Sequence, residues 1–434
     1  MLRSFRLLLL STFAVGCGTA ANPGNTPTTG AGAEAGGQGT ALAGATGFGG
    51  ASGGGSGSAS ASGSAGASAG QGGELASAAG AAGGGGGASS PASCQSSVTP
   101  SPAPSSQWLN ATGNLAGKPA GCVTLGKVLA QPCSKRIVAG VENAGLFASD
   151  DAGKTWQALG TGSGSAAITN SVTNILFDPA HPDVSWETGI RGSGGLYRSS
   201  DDGKTYLELG KLTFTQTVSV DFRDPERKTL LTGTHGMPQQ VLLSKDGGKS
   251  WDNVGLNLPA DGYNAETPLV LDSKTYLIGG NRGGGNETGI YRSTDAGASF
   301  QPVGNVQVNH FGVPLQASDG AIYWPLYATG GLAKSTDLGL TWTKLAEPAL
   351  HGVSPIELPD ASIVTIGTDH LARSTDGGAT WKPIGEPLPF QLVGDGATLT
   401  YSVATKTFFV SHYDCATGMV APDAIVSAGY DYEM

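Results

Sequence analysis

The eight-residue stretch Ser149-Asp150-Asp151-Ala152-Gly153-Lys154-Thr155-Trp156 restricts what this chain can fold into, because its pattern, Ser-x-Asp-x-Gly-x-(Thr/Ser)-aromatic, returns five more times. The copies are Ser199-Asp201-Gly203-Thr205-Tyr206, Ser244-Asp246-Gly248-Ser250-Trp251, Ser293-Asp295-Gly297-Ser299-Phe300, Ser335-Asp337-Gly339-Thr341-Trp342 and Ser374-Asp376-Gly378-Thr380-Trp381. Successive aspartates fall 50, 45, 49, 42 and 39 residues apart. A fixed motif at this period marks a repeat fold, and a repeat long enough for four strands points to a propeller.

Each residue of the motif has a turn-making role. An Asp carboxylate accepts from backbone N–H groups two or three residues on. The Gly two positions later supplies a positive φ, and Ser and Thr hydroxyls satisfy further backbone groups. The aromatic opens the next strand, where it can pack between repeats. Asp151, Asp201, Asp246, Asp295, Asp337 and Asp376 are therefore expected to be hairpin staples and not ligand-binding carboxylates.

The pattern resembles the Asp-box (BNR) repeat of sialidases, xyloglucanase-like glycoside hydrolases, sortilin-type receptors and the photosystem II assembly propellers. The resemblance spans roughly residues 94–434. It implies the fold and leaves the activity open, since these families do unrelated work on one scaffold.

The N-terminus reads as an export signal (residues 1–16). Arg3 and Arg6 precede a short apolar run from Leu7 to Val15, too brief to span a bilayer as a mature helix. Ala14-Val15-Gly16-Cys17 resembles a bacterial lipobox, which would make Cys17 a lipidated N-terminus. Ala14 departs from the commoner Leu, so a plain signal peptide stays open. Residues 18–93 are almost wholly Gly, Ala, Ser and Thr and cannot bury enough surface to offset ordering entropy. With Cys17 they form a tether with an r.m.s. span of roughly 50 Å.

From Cys94 the composition turns globular, and residues 94–434 suffice for one large all-β domain. The net charge of −10 and the lack of basic runs argue against nucleic acid as a partner. Cys94, Cys122, Cys133 and Cys415 form an even set in an exported protein, with three connectivities open to two disulfides. Cys122–Cys133 as a local closure and Cys94–Cys415 joining the two ends are favoured. No CxxC or HxxxH spacing supports a metal site, and no nucleotide fingerprint supports a cofactor.

Alternation and turn signals divide the repeats into strands. In the second repeat these are Val172 to Phe177, Val184 to Gly189, Leu196 to Ser200 and Tyr206 to Leu209. After the last motif, Ala397 to Val403, Thr407 to His412 and Ala424 to Tyr430 read as three more strands. Trp108-Leu-Asn-Ala-Thr-Gly113 resembles the fourth-strand segments that begin at Trp156 and Trp381. The expectation is thus a seven-bladed β-propeller of four-stranded antiparallel blades, with the Trp108 segment closing the C-terminal blade. Six blades is the alternative.

In such a ring the Asp turns share one face with the loops joining strands one to two. Loops joining strands two to three, and those between blades, share the other, which holds the ligand site in the families resembled. That face would collect Glu142, Asn143, Glu187, Arg191, His235, Asn281, Arg282, Glu287, Tyr327, Asp369, His370, His412, Tyr413 and Asp414. Inter-blade loops would add Tyr263, Glu266, His310 and His351. Five of the six histidines fall there, where they would give pH sensitivity near neutrality.

A sialidase-like site would need three arginines, a Tyr–Glu nucleophile pair and an acid Asp. Of ten arginines only Arg191 and Arg282 fall on the candidate face, so that triad is not available. A xyloglucanase-like site would need two carboxylates about 5–10 Å apart; nothing in the sequence singles out a pair, so the catalytic residues stay unassigned. The reading is a monomeric, exported propeller, lipid-anchored in the bacterial outer membrane (periplasmic or cell-surface), that binds a glycan or protein ligand at its loop-rich face. A glycoside hydrolase and a membrane-tethered assembly factor are the alternatives.

Overall fold

The structure, a computed structural model, describes residues 106–121, 125–260, 262, 264–281, 289–304, 306, 308, 312–327, 330–345, 353–392, 397–412 and 417–433. Several expectations fall outside them: the signal and tether, Cys17, Cys94, Cys122, Cys415, Tyr263, Arg282, Glu287, His310, His351, Tyr413 and Asp414. Cys133 is disulfide-bonded.

The described strands form seven four-stranded antiparallel sheets, each in simple sequential order except the last. Blade one holds Leu125–Ala130, Ile137–Val141, Gly145–Ser149 and Gln157–Ala158. Blade two holds Ser171–Phe177, Ser185–Ile190, Gly195–Ser199 and Leu207–Glu208; blade three holds Thr215–Val220, Leu230–Thr234, Val241–Ser244 and Asp252–Asn253. In blade four the strands are Asn264–Val270, Tyr276–Asn281, Ile290–Ser293 and Gln301–Gly304. Blade five runs through Leu315–Gln316, Ile322–Pro325, Leu332–Ser335 and Thr343–Lys344, and blade six through Ile356–Glu357, Ile363–Ile366, Leu371–Ser374 and Lys382–Ile384. Blade seven takes Thr398–Ser402, Thr407–Ser411 and Ile425–Gly429 from the C-terminal end and Leu109–Asn110 from the N-terminal end.

Seven blades, and not six, follow from that last sheet. Leu109 pairs with Ser427 and Asn110 with Val426. The buried Thr112 hydroxyl accepts from Ile425 N–H (2.9 Å) and donates to the Ile425 carbonyl (3.3 Å). The N-terminal strand thus covers the sheet edge that blade seven would otherwise expose.

All six repeated turns share one hydrogen-bond pattern. In the first, the Ser149 hydroxyl donates to Asp151 Oδ1 (2.8 Å) and accepts from Gly153 N–H (2.9 Å). Asp151 then accepts from the Thr155 N–H (2.8 Å) and hydroxyl (2.6 Å). The carboxylate therefore reaches four residues on, beyond the two or three expected, and the serine hydroxyl takes the nearer Gly N–H. Asp246 and Asp337 also accept from the N–H three residues on, that of Lys249 and Leu340 (3.0 Å each). Gly153, Gly203, Gly248, Gly297, Gly339 and Gly378 all have positive φ, between 78° and 91°.

The aromatic that ends each motif packs toward the preceding blade. Trp156 lies with Ile425 and Phe409 of blade seven, Tyr206 with Leu129 and Val138 of blade one, and Phe300 with Leu231 and Leu243 of blade three. Trp251, Trp342 and Trp381 fill the equivalent boundaries. Trp108 does the same between blades six and seven, its indole N–H donating to the Glu386 carbonyl (2.9 Å). The hydrophobic core is accordingly seven clusters, one at each blade boundary.

Hydroxyls join the inner strands. Thr398 and Thr400 accept from Val128 and Ala130 N–H across the seven-to-one seam (3.2 and 3.0 Å). Ser219 accepts from Val270 N–H (2.9 Å), and Ser354 from Val313 N–H (2.8 Å). An inner strand has no further strand beside it, so a neighbouring blade's Ser or Thr satisfies part of its backbone. Among the described residues no helix is long and apolar enough to cross a membrane.

Candidate functional site

Antiparallel order fixes which loops share an edge. Each Asp turn stands beside the loops joining strands one to two, as the Asp202 N–H to Asp183 carbonyl bond (2.9 Å) shows. The loops joining strands two to three and the inter-blade loops lie at the other end of the strands.

Charged groups at the Asp-turn edge tie blades or loops together. Arg227 of blade three donates twice to Asp178 of blade two (2.8 and 2.9 Å). Arg136 bonds Asp150 (2.9 Å) and also Asp202 of the next blade. Arg373 bonds Asp360 and the Tyr430 hydroxyl (2.7 Å). Glu357 accepts from the N–H (2.9 Å) and hydroxyl (2.6 Å) of Ser318, with burial raising its pKa against those bonds. Arg198 lies over the Trp186 ring at 5.5 Å, and Arg292 donates to the Leu338 carbonyl (3.0 Å). These guanidinium and carboxylate groups are fastened to the frame.

At the opposite edge the expected residues occur in local groups. Between blades one and two, Arg191 Nη1 stands 3.7 Å from Glu142 Oε1, the glutamate nearly buried and the arginine two-fifths exposed. Arg191 holds a positive φ of 62°, which turns the chain directly after the second strand of blade two. Gly121, from the N-terminal segment, passes so close to Glu142 that an added Cβ would meet its carboxyl at 2.1 Å.

Glu187 does not reach the loop edge where it was expected. It lies inside the second strand of blade two and is wholly buried, facing the blade one boundary beside Tyr197. Asn170 Nδ2 donates to its Oε2 at 3.4 Å, while burial raises its pKa well above the ordinary carboxylate value and the Asn170 bond offsets only part of that. Asn170 can lie there because position 189 is glycine, where an added Cβ would fall 2.2 Å from the Asn170 side chain. Nothing in the motif pattern marks Asn170; a polar residue directly before an inner strand is the sole trace it leaves in the sequence.

Glu266 is likewise a strand residue and not a loop residue, the third of the first strand of blade four. It accepts from Gly236 N–H (3.0 Å), and His235 Nδ1 stands 3.5 Å from its other oxygen. This pair joins blades three and four. In blade six His370 Nδ1 meets Asp369 Oδ1 at 2.7 Å, with the aspartate largely exposed. His412 of blade seven stacks on Phe390 with ring centroids 4.3 Å apart and lies 3.8 Å from Asp423. Tyr327 is partly buried after the second strand of blade five.

The inner strands also line a central cavity that is partly open to solvent. Lys127, Asn174, Val313, Ser354 and Thr398 line it, from five of the seven blades. Lys127 was not foreseen as a site residue. Its signal is a lone charged residue in Leu-Gly-Lys-Val-Leu-Ala, an otherwise apolar inner strand. Among the described residues no group of His, Cys, Asp or Glu is arranged to hold a metal ion.

No protein-family profile matches the chain. A xyloglucanase of Paenibacillus sp. is 28% identical over 218 residues, which is 46% of this chain and 19% of that protein. The chain therefore spans about a fifth of the length of this relative. Among solved structures, the GH74 xyloglucanase of Xanthomonas campestris has a TM-score of 0.48 and 19% identity, covering 74% of this chain and 55% of that one. YCF48 bound to D1 peptide has a TM-score of 0.47 and 13% identity, covering 76% of this chain and 96% of that one.

Proposed function

We propose that this propeller is a binding module, tethered through a lipidated Cys17, that holds a glycan at the edge formed by its second-to-third and inter-blade loops. The observation that carries the reading is the contrast between the two edges. Arg136, Arg227 and Arg373 at the Asp-turn edge are bound into the frame with a quarter or less of their side chains exposed, whereas Arg191 at the other edge stands 3.7 Å from Glu142 with two-fifths of its side chain exposed. A guanidinium held in that way can donate to sugar hydroxyls or uronate carboxylates. The stretch similar to a Paenibacillus xyloglucanase supports a polysaccharide over other ligand classes.

Binding fits the described residues better than hydrolysis. A glycoside hydrolase needs an accessible carboxyl with a raised pKa and a second carboxylate about 5–10 Å away. Glu187 has the raised pKa but is fully buried. Glu357 has it too, yet sits at the Asp-turn edge with both oxygens engaged by Ser318. Neither offers a proton to a sugar.

A glycan array probed with the wild-type chain and with Arg191→Ala/Arg282→Ala tests the reading, alongside a pull-down for protein partners. Glycan binding by the wild type that drops at least tenfold in the double variant is the expected result. Equal binding by both proteins would remove the site from this edge. Protein capture without glycan binding would assign the module to a protein ligand.

A further inference from the structure

The inter-blade loop that enters blade three ends on Phe214, a residue whose conformation works against the fold. Its φ is 54°, in the left-handed region that bulky L residues rarely take and that glycine takes freely. Among the described residues it is the one aromatic with such a φ. It also keeps 43% of its surface exposed, so much of it lies outside the core. At the same place, directly before the first strands of blades two, five, six and seven, stand Asn170, Pro314, Pro355 and Ala397, all of them buried.

Two neighbouring loops hold the Phe214 backbone where it is. Its carbonyl accepts from the His235 N–H (2.7 Å), in the second-to-third loop of blade three. The buried hydroxyl of Thr215, next in the chain, donates to the Gly195 carbonyl of blade two. A Cβ added at Gly194 would meet the Phe214 nitrogen at 3.2 Å and the Arg191 carbonyl at 3.3 Å. Phe214 is thus fixed against the turn that carries Arg191, on its blade-three side, while the guanidinium faces Glu142 of blade one. Backbone strain retained in an exposed side chain beside a candidate site points to what that side chain meets outside the fold.

Resting on the reading that Arg191 holds a glycan, we infer that Phe214 is a stacking platform for the sugar next to the one Arg191 holds, and that the ligand is a neutral chain of pyranoses with equatorial substituents. Such rings turn their axial C–H groups to two flat faces, and these weakly positive hydrogens suit the negative face of a phenyl ring. The neutral class follows from Glu142. Its carboxylate, 6% exposed and 3.7 Å from Arg191, already balances the guanidinium, so a uronate would bring a second negative charge to the pair. A sugar hydroxyl accepts from the same guanidinium and adds no charge.

Calorimetric titration of the full chain with cellohexaose, a neutral chain of such sugars, and with the same chain oxidised to glucuronate at C6 tests this. The wild type should bind cellohexaose and take the oxidised chain about tenfold more weakly. Phe214→Gly should weaken cellohexaose binding about tenfold and yet unfold at no lower temperature than the wild type, because glycine accepts the positive φ. Phe214→Trp should keep binding, and Arg191→Ala should lose it. Cellohexaose binding that Arg191→Ala weakens but Phe214→Gly leaves unchanged would overturn the platform while the glycan reading stands. Tighter binding of the oxidised chain would overturn the neutral class. A Phe214→Gly variant that loses binding and also unfolds at a lower temperature would make the ring part of the frame and overturn the inference. A wild type that binds neither chain would overturn it too, whereas binding of another sugar at the Arg191 edge would still support the broader reading.

Discussion

Arg227 of blade three grips Asp178 of blade two through two parallel hydrogen bonds, Nε to Oδ2 at 2.8 Å and Nη2 to Oδ1 at 2.9 Å. The remaining guanidinium nitrogen donates to the Phe222 carbonyl (3.0 Å) and the Asp224 carbonyl (2.6 Å). With side chains only 10% and 2% exposed, both ions have left water and depend on each other. Burial alone would raise the Asp178 pKa, and the Arg227 hydrogen bonds turn the net shift downward. The pair rivets adjacent blades at the Asp-turn edge.

Removing one partner leaves the other buried and unpaired. Arg227→Met is therefore expected to cost about 3–5 kcal/mol. Chemical denaturation of the variant checks this. A double-mutant cycle with Asp178→Asn should return a smaller combined loss than the sum of the single ones.

The N-terminal strand makes a separate prediction. Thr112 is wholly buried, and its hydroxyl serves both backbone groups of Ile425. Thr112→Val keeps the shape and orphans that N–H, at a cost of about 1–3 kcal/mol. Deleting the chain through Asn110 goes further and bares Ile425–Gly429 as a sheet edge. Concentration-dependent association in light scattering is the expected sign, and a deletion that stays monodisperse would show that the edge is covered in some other way.

The six turns predict how the protein responds to acid. Hydrogen bonds from the final Thr or Ser, with those from the first Ser, hold Asp151, Asp295, Asp337 and Asp376 at about 2. Asp201 and Asp246 are lowered by the same contacts. Unfolded, these groups titrate near 3.9. A depressed folded pKa gives stability that is present above the unfolded value and disappears as pH falls through the folded one. Thermal unfolding from pH 5 to pH 2 should thus show a falling midpoint that begins near pH 4. Asp337→Asn should flatten that fall by one group's share, while an unchanged slope would mean that the turns do not set acid stability.

Much of this frame is legible in the residues. The glycine that follows each motif aspartate takes the left-handed conformation, and the kinship of Trp108 with Trp156 and Trp381 reveals the closing strand. What stays hidden is set by contact between blades. Glu266 reads as a loop carboxylate, yet it starts an inner strand and accepts from a loop of the preceding blade. Two-residue alternation says which side of a strand a residue takes, but not what the adjacent blade places there. The hydroxyl bridges from Ser219 and Thr398 are invisible for the same reason. Lys127 can be seen as an oddity in its strand, and only the ring turns that oddity into the wall of a cavity.

Glu187 yields the last prediction. Burial raises its pKa well above the ordinary value of 4.5, and Asn170 offsets only part of that cost. A raised folded pKa gives stability that is complete below the unfolded pKa and is lost as pH rises through the folded one. The wild type should therefore lose stability on passing upward from about pH 4.5, as a proton must leave a carboxyl shut between two blades. Glu187→Gln keeps the shape and the contact with Asn170 but cannot ionise. The two proteins should unfold at similar temperatures at pH 4, with the variant higher at pH 8. Gly189→Ala pushes Asn170 away, since its Cβ would fall 2.2 Å from that side chain. It is expected to destabilise by about 1–3 kcal/mol through overpacking and to steepen the loss with rising pH. Parallel stability profiles for wild type and Glu187→Gln from pH 4 to pH 8 would mean that Glu187 ionises at its ordinary pH and that the boundary between blades one and two admits water.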